Sequence, residues 1–117
     1  MRTHSLSSES SVVTAFANDF GYDKVFSGQL RMLGSTGDLL ILISSSGNSQ
    51  NVLEAAQEAK ELRIRTIGFT GFSGGELKSM VDVNLHVPAD NYGIVEDSHQ
   101  ALMHVFAQHL DQVRRGP

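Results

Sequence analysis

Gly37-Asp38-Leu39-Leu40-Ile41-Leu42-Ile43-Ser44-Ser45-Ser46-Gly47-Asn48-Ser49-Gln50-Asn51-Val52 joins an unbroken apolar run to a loop of small polar residues. Residues 39–43 are all Leu or Ile, which is strand length and far too short to span a bilayer. A run without polar alternation predicts a strand covered on both faces, as in parallel sheets under helices. Ser49 is placed to cap a helix that runs to about Glu61, with Val52, Leu53, Ala56 and Ala59 inward. A loop between a buried strand and a helix is where open α/β sheets bind ligands. The helix start offers unpaired N–H groups and partial positive charge to an anion. Ser44, Ser45, Ser46 and Ser49 add hydroxyl donors, and Gly47 allows close backbone approach. The loop has no lysine, so it is not the GxxxxGK[ST] nucleotide loop, and GxGxxG spacing is absent. This chemistry suits one phosphate on a small molecule. The plain alternative is a polar loop with a serine cap.

Outward from this stretch, the same alternation of elements continues. Residues 63–70 hold Ile64, Thr66, Ile67 and Phe69 and predict a second strand. Gly74-Gly75 shapes the start of a short helix over residues 76–80, with substrate contact as the other reading. Val83, Leu85 and Val87 alternate within residues 82–88 and predict a third strand. A final helix is expected over residues 94–113. On the N-terminal side, residues 24–33 read as a helix stopped by Gly34 in the manner of a C′ glycine. Residues 12–17 predict one or two helical turns, and Asn18 and Asp19 read as turn formers. A further strand is expected near residues 3–6. Strand–helix repeats with short links imply right-handed crossovers, a parallel sheet and helices packed on it.

Composition removes several classes of function. The 117 residues fit one domain, and 40% hydrophobic with 19% charged residues is ordinary for a globular fold. The formal net charge is −4 and the basic residues are scattered, which argues against a reader of nucleic-acid backbone. Without cysteine there is neither a disulfide framework nor a thiolate metal site. The first eleven residues are polar and Ser-rich, unlike a signal peptide. These features point to a cytoplasmic protein with no membrane partner. A flavin is not expected, since there is no tryptophan and only Tyr22 and Tyr92 could stack on its ring.

The string GDLLILISSSGNSQNV resembles the phosphate-loop signature of sugar isomerase (SIS) domains. Asn18-Asp19-Phe20-Gly21, Phe69-Thr70-Gly71 with Gly74-Gly75, and EDSHQALMH over residues 96–104 are similar, in order and spacing, to the bacterial phosphoheptose isomerases. The resemblance covers the chain from about Ser5 to Val113. It implies an α/β three-layer sandwich with a flavodoxin-like parallel sheet, and usually a homotetramer. It places the phosphate-binding serines on Ser44, Ser46 and Ser49, with Ser45 contributing from the same loop. It also puts Glu9, in the Ser-rich segment, at the border of the sugar-phosphate site. The alternative for Glu9 is a solvated loop glutamate.

On the final helix, ~100° per residue gathers Val95, His99, Leu102, Phe106, Leu110 and Val113 on one apolar arc. Glu96, Gln100, His104 and Asp111 form a neighbouring polar stripe. A histidine there can reach a cleft or a subunit interface, and its near-neutral pKa suits proton transfer at carbon. Resemblance places the family's catalytic or metal-binding histidine on His104; by spacing alone it is a solvent-facing residue. Glu96 and His104 could share a Zn ion, since zinc accepts both donor types. The family often has glutamine where Glu96 stands, and Glu96 could simply favour the helix N-terminal turn. His99 and His109 read as core or interface histidines, and His4 and His86 have no constellation around them.

The family's domain begins earlier than this chain, with a first strand, a second glycine-rich loop and a helix carrying a histidine and a glutamate. Residues 1–117 are therefore expected to be the phosphosugar-binding half of an N-terminally truncated SIS domain. It would carry the phosphate loop and His104 without the full acid–base pair of a ketose–aldose isomerase. The expected function is interconversion of sedoheptulose 7-phosphate with an aldoheptose phosphate. The alternative is a non-catalytic module that senses a sugar phosphate or binds a protein such as a replication initiator.

Overall fold

The structure, a computed structural model, describes residues 2–116. Helices α1 (Ser10–Phe20) and α2 (Ser27–Leu33) flank a 3-10 turn at Tyr22–Lys24. Strand β1 (Leu39–Ser44), helix α3 (Gln50–Glu61), strand β2 (Arg65–Thr70), helix α4 (Leu77–Met80), strand β3 (Val83–His86) and helix α5 (Tyr92–Arg115) follow. The strands form one parallel sheet in the order β1-β2-β3, with Ile41 opposite Ile67 and Ile67 opposite Val83. Parallel neighbours need a crossover between them, and α3 and α4 supply it.

Strand alternation sends Leu40 and Leu42 to one side and Phe69 to the other. Leu42 packs with Val52, Leu53, Ala55 and Ala56 of α3 and with Leu77 of α4. Phe69, fully buried, meets His99 and Phe106 of α5 edge-on, at ring-centroid distances of 5.6 and 6.0 Å. Helices thus cover both faces, and the three-layer α/β architecture is the one the sequence predicts. Each fully buried Leu, Val or Phe contributes about 1.5–3 kcal/mol, so these two layers hold the sheet. Helix α2 joins the α3 layer through a two-pronged ion pair, Arg31 Nε and Nη2 to Glu58 at 2.9 and 2.6 Å. That bond to Glu58 raises the Arg31 pKa further.

The starts of β2 and β3 are clamped by Asp82. Its carboxylate accepts the Thr66 N–H at 2.7 Å and the Thr66 hydroxyl, and Asp82 N–H donates back to Thr66 Oγ1 at 2.9 Å. The backbone bond from Thr66, more than the nearby Arg65, holds the Asp82 pKa below the ordinary carboxylate value. A lowered folded-state pKa means stabilisation that is complete above the unfolded value and lost as pH falls through the folded one. Asp82→Asn is therefore expected to lower the urea midpoint at pH 7 and to leave less further loss on acidification below pH ~4 than in the unmodified protein. Parallel acid limbs for the two proteins would contradict this role.

Several elements differ from expectation. No strand forms at residues 3–6; Leu6 instead docks on Leu30, Ala59 and Ile64, and its carbonyl accepts from Gln29 at 2.8 Å. Helix α1 runs three turns and absorbs Asn18 and Asp19, which are helical rather than turn residues. Gly34 does end α2, but at φ −77° it is not a left-handed cap. Its hydrogen side chain is required because a Cβ would lie 2.7 Å from both Ile64 Cδ1 and the Leu30 carbonyl. Strand β1 is not covered on both faces: Leu39, Ile41 and Ile43 are 58, 38 and 50% exposed. β1 is an edge strand, and α5 on that face packs over Phe69 of β2, leaving the β1 side open.

Candidate functional site

β1 ends at Ser44 and α3 begins at Gln50, so the loop between them lies at the carboxyl end of the parallel sheet. The loop is tied to the second strand–helix connection behind it. Gly71 N–H donates to the Ser45 carbonyl at 2.8 Å, Leu77 N–H to the Gly47 carbonyl at 3.0 Å, and Glu76 N–H to Asn48 Oδ1 at 3.0 Å. Glycines allow this approach. Gly47 has φ +69°, and a Cβ there would lie 1.9 Å from the Gly74 carbonyl oxygen. Gly74 and Gly75 have φ +91° and +54°, and a Cβ on Gly75 would lie 2.5 Å from the Ser46 carbonyl. The double glycine thus braces the serine loop, a role its local sequence does not reveal.

Ser49 occupies the N-cap position of α3 in extended conformation, yet its hydroxyl makes no cap bond. It pairs with Ser44 Oγ at 3.0 Å instead, while Asn51 Oδ1 accepts from Val52 N–H at 2.9 Å. The N–H groups of Ser49, Gln50 and Asn51 have no hydrogen-bond partner among the described residues. Ser44 is buried, Ser45 and Ser46 are half-buried, and Asn48, Ser49 and Gln50 are exposed. A buried hydroxyl, an exposed hydroxyl and three free N–H groups at the start of a twelve-residue helix can receive an anion from solvent.

The other sequence-derived candidates are more scattered. Glu9 is exposed at the N-cap position of α1, and its carbonyl accepts from Val12 and Val13. Glu96 and His104 are both exposed on α5. Eight residues apart, they are offset by about 12 Å along the helix axis. Among the described residues no three His, Cys, Asp or Glu side chains come together as a metal site. A tetrahedral zinc would find at most two ligands in this pair, so these residues alone do not fit the ion. The apolar arc of α5 holds for Val95 and His99, which are buried, and for half-buried Leu102 and Phe106. Leu110 and Val113 are exposed, and His109 is exposed rather than a core residue.

His86 acquires a constellation that the sequence did not show. Its Nδ1 lies 3.0 Å from Thr70 Oγ1, which also lies 3.0 Å from Asn84 Nδ2. Ser44, Thr70 and His86 stand opposite one another in the ladder and share one row. Alternation could assign each to a face, but only the register between strands makes them neighbours.

The comparisons with known proteins agree with this geometry. The family model described as SIS domain matches residues 2–71. The phosphoheptose isomerase of Aliarcobacter butzleri is 43% identical over 106 residues, covering 91% of this chain and 56% of that protein. The probable phosphoheptose isomerase of Thermoplasma acidophilum is 42% identical over 107 residues, covering 92% and 59%. The solved structure of phosphoheptose isomerase GmhA from Neisseria gonorrhoeae superposes with a TM-score of 0.84 at 43% identity, over 86% of this chain and 57% of that one. A phosphoheptose isomerase from Francisella tularensis gives 0.83 at 36% identity, over 86% and 54%. The chain spans a little over half the length of these relatives. With the parallel sheet, the braced serine loop and these matches agreeing, the chain belongs to the SIS domain family.

Proposed function

We propose that this chain is the phosphosugar-binding part of a phosphoheptose isomerase that interconverts sedoheptulose 7-phosphate and an aldoheptose phosphate. The observation that carries the proposal is the helix start with three unpaired N–H groups beside the Ser44–Ser49 hydroxyl pair. Ser44, Ser45, Ser46 and Ser49 hold the phosphate there, and the dipole of α3 favours its charge. Once the phosphate is held, the sugar's carbon chain is restricted in the positions it can sample, which lowers the entropy cost of proton transfer. His104 moves a proton between adjacent carbons through an enediol-like intermediate, with its acid–base partner supplied from outside residues 2–116. Glu9 borders the sugar. Zinc enters this reading only as an ion that Glu96 and His104 would share with ligands from elsewhere, and no step depends on it.

The relatives named as phosphoheptose isomerases support the substrate class. The open apolar edge of β1 and the exposed Val105, Leu110 and Val113 of α5 support assembly into a homo-oligomer. No helix among the described residues is long and apolar enough to cross a membrane. The same reading places the protein in the cytoplasm, where phosphorylated sugars are retained.

Calorimetric titration with sedoheptulose 7-phosphate tests the proposal. Saturable binding is expected, and Ser49→Ala should weaken it about tenfold, the worth of one hydrogen bond to a charged group. Absence of saturable phosphosugar binding in the unmodified protein would refute the assignment. Binding without turnover even when the acid–base partner is supplied would mark a sensing module instead.

A further inference from the structure

His99 is buried on α5, yet neither phosphate binding nor proton transfer at His104 uses it. Its Nε2 lies 3.1 Å from the Thr70 carbonyl oxygen. A carbonyl can only accept, so Nε2 carries the hydrogen. The peptide that presents this carbonyl joins Thr70 to Gly71. Its N–H end donates to the Ser45 carbonyl in the serine loop at 2.8 Å. One rigid peptide plane therefore receives α5 at its oxygen and supports the phosphate loop at its nitrogen. Hydrogen bonds in series polarise one another, so the His99 contact strengthens the Gly71 bond to Ser45.

The packing around this peptide is as close as the bonding. Val95, one turn before His99, is fully buried against Gly71, where a Cβ would lie 2.5 Å from both Val95 methyl carbons. The His99 ring meets fully buried Phe69 edge-on. The second lone pair of the Thr70 carbonyl accepts Val87 N–H at 2.9 Å. The plane has no free acceptor and no room to rotate, so a shift of α5 passes to residue 45.

We propose that His99 is a positioning residue that sets α5, and with it His104, in register with the serine loop through the Thr70–Gly71 peptide. This deepens the isomerase reading and rests on it for the roles of the two ends. The coupling itself is a property of the fold and can be measured without substrate.

Two variants separate donation from packing in the full chain. His99→Phe keeps a ring edge against Phe69 and loses the donor. His99→Gln keeps an N–H at similar reach. In nitrogen-15 NMR the unmodified His99 ring is expected to be protonated at Nε2; protonation at Nδ1 alone would overturn the proposal whether or not either variant folds. In His99→Phe the Gly71 amide proton is expected to move upfield, with shifts continuing into residues 45–51. The sedoheptulose 7-phosphate dissociation constant should rise about threefold to tenfold, as for one lost hydrogen bond. His99→Gln should restore both. A folded His99→Phe with unmoved Gly71 and loop amides would refute the coupling, as would a His99→Gln that is equally perturbed. Failure of the unmodified protein to bind phosphosugar would refute the functional reading instead, and the Gly71 response would still decide the coupling.

Discussion

Gly47→Ala is expected to remove phosphosugar binding and to destabilise the fold by about 2–4 kcal/mol, by the sum of steric strain and lost hydrogen bonds. The added methyl carbon would lie 1.9 Å from the Gly74 carbonyl oxygen, a backbone atom with no rotamer to escape into. The φ of +69° adds the left-handed penalty that every L-residue with a Cβ meets. Relief requires moving the serine loop away from the 71–76 connection. That movement breaks the bonds from Leu77 N–H to Gly47 and from Glu76 N–H to Asn48 Oδ1. Serine hydroxyls and helix N–H groups must converge on one anion, so a displacement of about 1 Å costs roughly a hundredfold in function. Thermal unfolding should fall by roughly 10–20 °C in the variant. An unchanged melting temperature together with unchanged calorimetric affinity would mean that the loop is not held by this contact.

On the proposed reading, and with the acid–base partner supplied, His104→Gln is expected to slow isomerisation of sedoheptulose 7-phosphate by roughly 10²–10⁴-fold, the usual contribution of a positioned acid–base group. Stability should change by no more than about 0.5 kcal/mol, because the side chain is exposed and makes no hydrogen bond among the described residues. Glutamine retains polarity and hydrogen-bonding capacity but does not titrate between pH 5 and 8. Phosphosugar affinity should stay within about threefold, since the proposed reading assigns uniform binding to the serine loop. Loss of kcat with affinity intact distinguishes a proton-transfer residue from one that only shapes the surface. Unchanged turnover would remove His104 from the chemistry.

The element order, the parallel sheet and the place of the serine loop were legible because they rest on local patterns. A strand-length apolar run, a helical spacing of apolar residues and a Ser/Gly loop between them are all read within about fifteen residues. Misreadings occur where the surroundings of a segment, near or distant in the chain, override its own preference. Asn18 and Asp19 have weak helix propensity, but they continue a helix already formed by residues 10–17. Residues 3–6 look like a strand in isolation, but Leu6 has a hydrophobic site on α2 and α3 and the segment has no strand beside it. Leu39, Ile41 and Ile43 are apolar enough for a buried strand, and their exposure reflects an open sheet edge.

By itself the sequence determined the make-up of the serine loop: four serines, a glycine and a helix start after the most apolar strand. Tertiary structure alone decided how that loop is held, with Gly74 and Gly75 packed against its back and the Thr70–Gly71 peptide joining it to His99. It also decided that Ser44, Thr70 and His86 share a row. Residue type and spacing carry local conformational preference, whereas strand register and close backbone contact arise only when segments far apart in the chain compete for the same space.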